Sequence, residues 1–365
     1  MKYLRKFENN AAYESATLDL PNVAYCKEEN EVHYNPIPDY SKEYLTFVAK
    51  ESGTFTFTPK NSNIINYSTD NGETWTQGNS VSVNNGDKVL WKGTMTPQSN
   101  NGIGTFASTA NFDVQGNAMS LLYGDNYKEQ TSLTKKNFAL YKLFNNNTKV
   151  VNAENLSLPA KTLATHCYEN MFYGCTNLTT APSVLPAITL TNWCYASMFN
   201  GCTSLTTVPK LPTETLADYC YKNMFQGCTS LTTVPELLAT TLVGSCYEYM
   251  FDGCTSLTTV PELPATTLAS YCYRNMFRGC TALTIAPELP ATTLINGSYD
   301  SMFNGCTNLN YIKAMFTTTP STSYTRDWVK GVSTTGTFVK NSAATWTTTG
   351  NNGIPTGWIV ETASE

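Results

Sequence analysis

The strongest constraint on this chain is a tandem repeat. The word Met-Phe-x-Gly-Cys begins at Met171, Met198, Met224, Met250, Met276 and Met302, so the first step is 27 residues and the next four are 26 each. A fixed period of this length implies a solenoid, because no single unit can bury its own apolar face and stacked neighbours must supply the core. In one unit, Cys220, Met224 and Cys228 fall at i, i+4 and i+8 with Phe225 beside them. That spacing predicts an apolar helical stripe, stopped at Gly227. Ser230–Val234 then reads as a short strand ended by Pro235, with Leu237 and Leu242 as further inward anchors. One strand and one helical segment per unit predicts a β/α leucine-rich-repeat solenoid. Its strands, stacked about 4.8 Å apart, would run on the order of 30 Å.

Both ends of the array are degenerate, as expected where exposed core must be covered. Phe138–Asn147 aligns with the repeat, but Leu143 stands at the Met position and Asn146 and Asn147 stand at Gly and Cys. In the sixth repeat Ser298 replaces the first Cys, and Asn308–Ile312 departs from the Thr-Thr-Val pattern. Residues 321–360 are expected to form a cap. Ser323–Val329 would be a short amphipathic helical turn, and Gly336–Lys340 and Gly357–Val360 would be strands closing the last edge.

Ahead of the array, Tyr44–Ala49, Gly53–Thr58, Ile64–Ser68 and Lys88–Lys92 are short β-branched and aromatic runs separated by turn residues. They predict a small β-sandwich of immunoglobulin-like size. Asp70-Asn71-Gly72 and Asn84-Asn85-Gly86-Asp87 mark its hairpin turns. Residues 1–40 read as a lead-in: a short helix at 10–16, an extended stretch at 20–26, and a strand from Glu31 ending in a Pro-punctuated linker. The fold class expected is therefore mixed β and α/β. Its parts are a 1–42 attachment segment, a 43–134 β-sandwich, a 135–318 solenoid and a 319–365 C-terminal cap.

Composition narrows the function. A net charge of -5 with only 14% charged residues leaves no basic footprint for nucleic acid and no polybasic membrane patch. No run of 18 apolar residues is present to span a bilayer. Met1–Lys6 is basic, but no apolar core follows it, so export by the general secretory route is not expected.

Eleven of the twelve cysteines lie in the array, in two rows. Cys175, Cys202, Cys228, Cys254, Cys280 and Cys306 form one; Cys167, Cys194, Cys220, Cys246 and Cys272 form the other. On a helix, partners eight apart lie about 12 Å from each other, beyond the ~7 Å a disulfide allows. The rows read as small buried thiols. Together with Phe172, Phe199, Phe225, Phe251, Phe277 and Phe303 they are the expected structural core.

No metal site is expected, because close Cys pairs and nearby His are missing. The two histidines, His33 and His166, sit beside no nucleophile motif, and no phosphate loop appears. No catalytic residue and no cofactor is therefore assigned. The residue before the first Cys of each repeat is the candidate ligand row: His166, Trp193, Tyr219, Ser245, Tyr271 and Gly297. Its rings (His166, Trp193, Tyr219 and Tyr271) could stack on sugars or anchor a protein partner. The row Thr179, Thr206, Thr232, Thr258 and Thr284 reads as solvated β-surface.

These units resemble the BspA-like branch of leucine-rich repeats across roughly residues 138–315, with Phe, Gly and Cys in register in six copies. The chain departs from the commoner pattern by a longer repeat, a Met before the Phe and an added Cys eight residues earlier. The resemblance implies protein or surface binding, most often adhesion, without catalysis. Ser68–Trp75 resembles the Asp-box of sialidase-like propellers, which braces a hairpin and is not catalytic there. The lead-in words Leu20-Pro21-Asn22-Val23 and Val32-His33-Tyr34-Asn35-Pro36 resemble segments of virion proteins from phages of anaerobic gut bacteria. The expected protein is a virion fibre, appendage or capsid-decorating component. It would contact other virion proteins through its lead-in and a host-surface protein or glycan through its repeats. A homo-oligomer is left open, and the alternative is a secreted bacterial cell-surface adhesin.

Overall fold

The computed structural model describes residues 39–363 together with the backbone of three short strands: β1 (Arg5–Phe7), β2 (Ala24–Cys26) and β3 (Glu31–His33). β2 pairs parallel with β1 and antiparallel with β3. The expected helix at 10–16 lies outside the described residues.

Two sheets pack face to face next. One is ordered β10 (Gly104–Ser108), β5 (Gly53–Pro59), β8 (Ser80–Val83). The other runs β12 (Val150–Asn152), β11 (Phe112–Asn117), β4 (Leu45–Ala49), β9 (Lys88–Gly93), β6 (Ile65–Ser68), β7 (Thr76–Gln77). Alternation explains the packing: Phe55 and Phe57 of β5 are fully buried while Thr56 between them is not. Phe47 fills the centre, with ring centroids 4.7–5.7 Å from Phe55, Trp91, Phe106, Phe112 and Phe144. In the hairpin segment Ser68–Trp75, Ser68 Oγ accepts from the Gly72 amide (2.8 Å) and Asp70 accepts from Thr74 (3.0 Å). Trp75 packs against Tyr44, centroids 4.9 Å apart.

No boundary in the core separates these sheets from the repeats. β11 pairs parallel with β12 and with β13 (Leu156–Ser157), both contributed by the first, degenerate coil. Phe106 lies 5.7 Å from Phe144, and Phe144 stacks 5.1 Å from Phe172, so one buried cluster runs from the sheets through the array. At the far end β14 (Tyr311–Ala314), β15 (Thr337–Lys340) and β16 (Ile359–Thr362) form a parallel ladder. Trp328, Trp346 and Trp358 are buried beside it.

Inside the array the expected helix does not form. The one α-helix among the described residues is α1 (Ser120–Tyr123), and Cys220–Cys228 is instead a ribbon of successive turns. The amides of Cys220, Lys222, Met224, Gln226 and Cys228 each donate three residues back, at 3.1–3.2 Å. Those of Tyr219, Tyr221, Asn223, Phe225 and Gly227 leave the coil and donate to the next one, at 2.8–3.1 Å. Tyr219, Asn223 and Gly227 have φ of 60°, 55° and 72°, a left-handed residue at every fourth position. A right-handed helix cannot accommodate these residues, so the apolar stripe is carried by turns instead. The i, i+4, i+8 spacing is shared by helices and by four-residue turns.

The expected strand Ser230–Val234 is also absent as a regular element. Coils touch on that limb through single bridges such as Ile285 to Tyr311, and further along through others such as Thr241 to Thr267. Threonine hydroxyls supplement the bridges, as where Thr206 Oγ1 donates to the Thr179 carbonyl (3.0 Å) and Thr259 Oγ1 to that of Thr232 (3.1 Å). The Thr rows thus bond coil to coil as well as facing solvent. The molecule is a β-rich repeat protein with very little helix.

The interior of the stack is columnar. Phe172, Phe199, Phe225, Phe251, Phe277 and Phe303 are fully buried and lie 5.5–5.9 Å apart within 10° of parallel. Tyr168, Tyr195, Tyr221, Tyr247, Tyr273 and Tyr299 form a second column at 5.4–6.0 Å. The thiols of Cys175, Cys202, Cys228, Cys254, Cys280 and Cys306 each donate to a Phe carbonyl of the coil before, at 3.0–3.1 Å. This sulfur is a buried donor that satisfies an acceptor. Each of these rings contributes roughly 1.5–3 kcal/mol by burial.

All eleven array cysteines are free and buried. Desolvation pushes the thiols of Cys167, Cys194, Cys272 and Cys306 up to about 12, so no thiolate is present at ordinary pH. In the folded protein at mildly alkaline pH, these eleven thiols should resist a disulfide reagent and react only in denaturant. Rapid native labelling at several array positions would contradict the buried columns. Phe225→Ala should cost about 3–5 kcal/mol in urea denaturation.

Candidate functional site

The outward side of the turn ribbon carries three columns of side chains, one residue per coil in each. The first is the row of residues preceding the first Cys. His166, Trp193, Tyr219 and Tyr271 are half-buried and have φ of 58–63°. The turn imposes this conformation, which suits Gly (Gly297 at the equivalent place, φ 61°) and is costly for a side chain with a Cβ, at about 1–2 kcal/mol.

Stacking offsets that strain along part of the row. His166 lies 4.5 Å from Phe138 and 6.0 Å from Trp193, and Trp193 lies 4.3 Å from Tyr219, all within 17° of parallel. Such pairs contribute about 0.5–1.5 kcal/mol each. The structure therefore brings His166, Trp193 and Tyr219 together as one stack. Ser245 is buried and has no ring, and it separates Tyr271 from them. Tyr271 has Ser245 on one side and Gly297 on the other, where an added Cβ would overlap its ring. Its hydroxyl accepts from Asn296 Nδ2 (3.1 Å), and the Arg274 guanidinium lies 5.4 Å from the ring centroid. Tyr271 is the member whose strain no ring stack offsets.

The second column alternates in charge. Lys222 Nζ lies 2.9 Å from Glu248 Oε2, Arg274 Nη1 lies 3.4 Å from Glu248 Oε1, and Arg326 Nη2 lies 3.0 Å from Asp300 Oδ2. Glu248 and Asp300 are nearly inaccessible, so their charges depend on these partners. Lys222 also sits 5.5 and 5.4 Å from the Trp193 and Tyr219 ring centroids, coupling this column to the rings. Lower in the column Glu169 contacts His166 Nδ1, and burial raises its carboxyl above the usual range despite that contact.

The third column runs Asn200, Gln226, Asp252 and Arg278. Asn200 donates to Gln226 (2.8 Å), Gln226 donates to Asp252 (2.7 Å), and Arg278 grips Asp252 with two bonds of 2.9 Å. Chemically the face offers aromatic edges, paired charges and amides for recognition. Among the described residues, no group of three or more His, Cys, Asp or Glu is placed to hold a metal ion.

Sequence reasoning did not register the two polar columns or the tyrosine column. The Cys-Tyr doublet recurring at Cys167-Tyr168, Cys194-Tyr195 and Cys220-Tyr221 was the available signal for the tyrosines. For the charges it was the change of sign at each step from Lys222 through Glu248, Arg274 and Asp300 to Arg326.

Glu248→Gln leaves Lys222 and Arg274 facing a neutral amide on a buried stem. Both cations are partly exposed, which moderates the loss to about 1–3 kcal/mol. Urea denaturation checks this, with the exposed Glu236→Gln as a control expected within about 0.5 kcal/mol of the parent. Equal effects would show that the charged column does not stabilise the stack.

A model of the BspA type leucine rich repeat region matches in six copies over residues 141–244 and 224–325, just over half of the chain. No curated protein and no solved structure matches the chain at a significant level. The repeats of this family point to a repeat-based binding or adhesin role. By this match over just more than half of its length, the chain belongs to the BspA type leucine-rich-repeat family.

Proposed function

We propose that the protein is a non-enzymatic binding protein whose turn ribbon engages a protein or glycan displayed on a cell surface. In this reading the two packed sheets and the β14–β16 ladder cap a leucine-rich-repeat solenoid, and the ring row makes the contact. The observation that carries the reading is Tyr271, a bulky residue held at φ 58° with no ring stacked on either side. Backbone strain that no ring stack offsets, at a half-buried residue of the outer face, points to selection for something beyond packing. Residues 1–42 are the proposed attachment segment. Display on a virion rests on the lead-in words quoted above, and display on a bacterial surface is the competing placement. Co-purification with phage particles separates the two.

The full-length chain is tested for retention on glycan arrays and on a panel of anaerobic bacterial cells. Tyr271→Gly should keep or raise thermal stability, because Gly accepts the turn, while lowering retention about tenfold, near 1.4 kcal/mol. Trp193→Gly should lower stability through loss of its stack. Retention by Tyr271→Gly equal to that of the parent would remove the ring row from the binding surface.

A further inference from the structure

A second recognition site lies on the two-sheet module, away from the ring row in sequence and in chemistry. Two cavities of about 360 Å³ each adjoin at the ends of β6 and β9 and share Ile64 and Thr94 in their linings. Asn63 makes the floor rigid. Its Nδ2 donates to the carbonyls of Thr96 and Ile103 (3.2 Å each), and its Oδ1 accepts from the Thr96 amide (3.0 Å). One end is closed by Asp125, which Lys92 approaches at 2.8 and 3.0 Å and to which the Tyr44 hydroxyl donates at 2.7 Å.

The composition of the lining identifies the ligand class. The side-chain amides of Asn66, Gln98 and Asn126 face this groove and make no hydrogen bond among the described residues. Each offers both donors and an acceptor. Ile64, 55% exposed, stands between the two cavities as an apolar ledge, and Tyr123 adds a ring to the wall. The single cation and the single carboxylate neutralise each other, so the groove selects for neither charge. Uncommitted amides around a small apolar ledge suit a ligand with many hydroxyls and alternating C–H faces.

We propose that this groove is a carbohydrate-binding site for a short run of neutral sugar units. It is independent of the ring row, so the two sites can fail separately. The full-length chain is applied to immobilised neutral polysaccharides (α-glucan, β-glucan, mannan, galactan and xylan). The parent is compared with an Asn66→Ala, Gln98→Ala, Asn126→Ala triple variant, with Ile64→Ala, with Tyr271→Gly, and with the exposed Glu236→Gln as control. All three amides are surface groups, and thermal denaturation verifies folding of each variant.

Retention on at least one neutral polysaccharide is expected. It should weaken at least about tenfold in the triple variant and measurably in Ile64→Ala, and it should be unchanged in the exposed Glu236→Gln. Retention on none of the five, or retention that the triple variant leaves intact, overturns the proposal. So does retention lost only with Tyr271→Gly, which would assign the sugar to the ring row.

Discussion

In the turn ribbon every second amide leaves its own coil, and the carbonyl it reaches lies in the next. Tyr221 donates to Cys246, Asn223 to Glu248 and Phe225 to Met250, while the amides between them close turns within the coil. Both sets are filled, so the backbone of the ribbon is satisfied only when a neighbour is in place. A constraint on the ribbon follows from this. An insertion of one residue within the ribbon itself, between Tyr221 and Phe225, would slide each later donor past its acceptor. By contrast, the extra residue of the 27-residue step from Met171 to Met198 leaves Tyr168 donating to Cys194 and Phe172 to Met198. What the ladder requires is a constant length of ribbon in each coil, from Cys194 to Cys202 and from Cys220 to Cys228 alike.

Side chains reinforce the same register at every level. Phe and Tyr columns fill the interior, and each thiol of the second Cys row reaches the Phe carbonyl of the coil before. Outside, Lys222, Glu248 and Arg274 place unlike charges one coil apart. A shift by one coil would bring like charges together, so this column opposes mispairing as well as stabilising the correct stack. The first coil carries the register into the sheets through β12 and β13, and Phe106 and Phe144 make the two regions one core. Rigidity of this kind lets strained residues persist on the surface, because the ladder on either side determines their backbone.

Much of this was readable in the chain, for identifiable reasons. The strands at Leu45–Ala49, Gly53–Pro59, Ile65–Ser68 and Lys88–Gly93 were legible from alternating apolar residues bounded by Asn-Gly turns. The period was legible because Met, Phe, Gly and Cys recur identically. The spacing predicts a helix where a turn ribbon stands, because both place residues i, i+4 and i+8 on one side. The distinguishing sign is that Cys220-Tyr221 and Met224-Phe225 are inward doublets separated by outward doublets, a period of four that does not drift as a helix does. The ring row was visible as a row. Its division at Ser245 into a stack and a solitary Tyr271 depends on φ values that residue identity does not disclose, since Trp and Tyr rarely adopt them.

The central claim is that six repeats are stacked turns holding each other's amides, with no helix in any of them. Far-UV circular dichroism of the full-length protein tests this most directly. The account predicts a spectrum of β and turn character with almost no helical contribution, lost in one transition as coils and sheets unfold together. A spectrum carrying a helical segment from every repeat would contradict it.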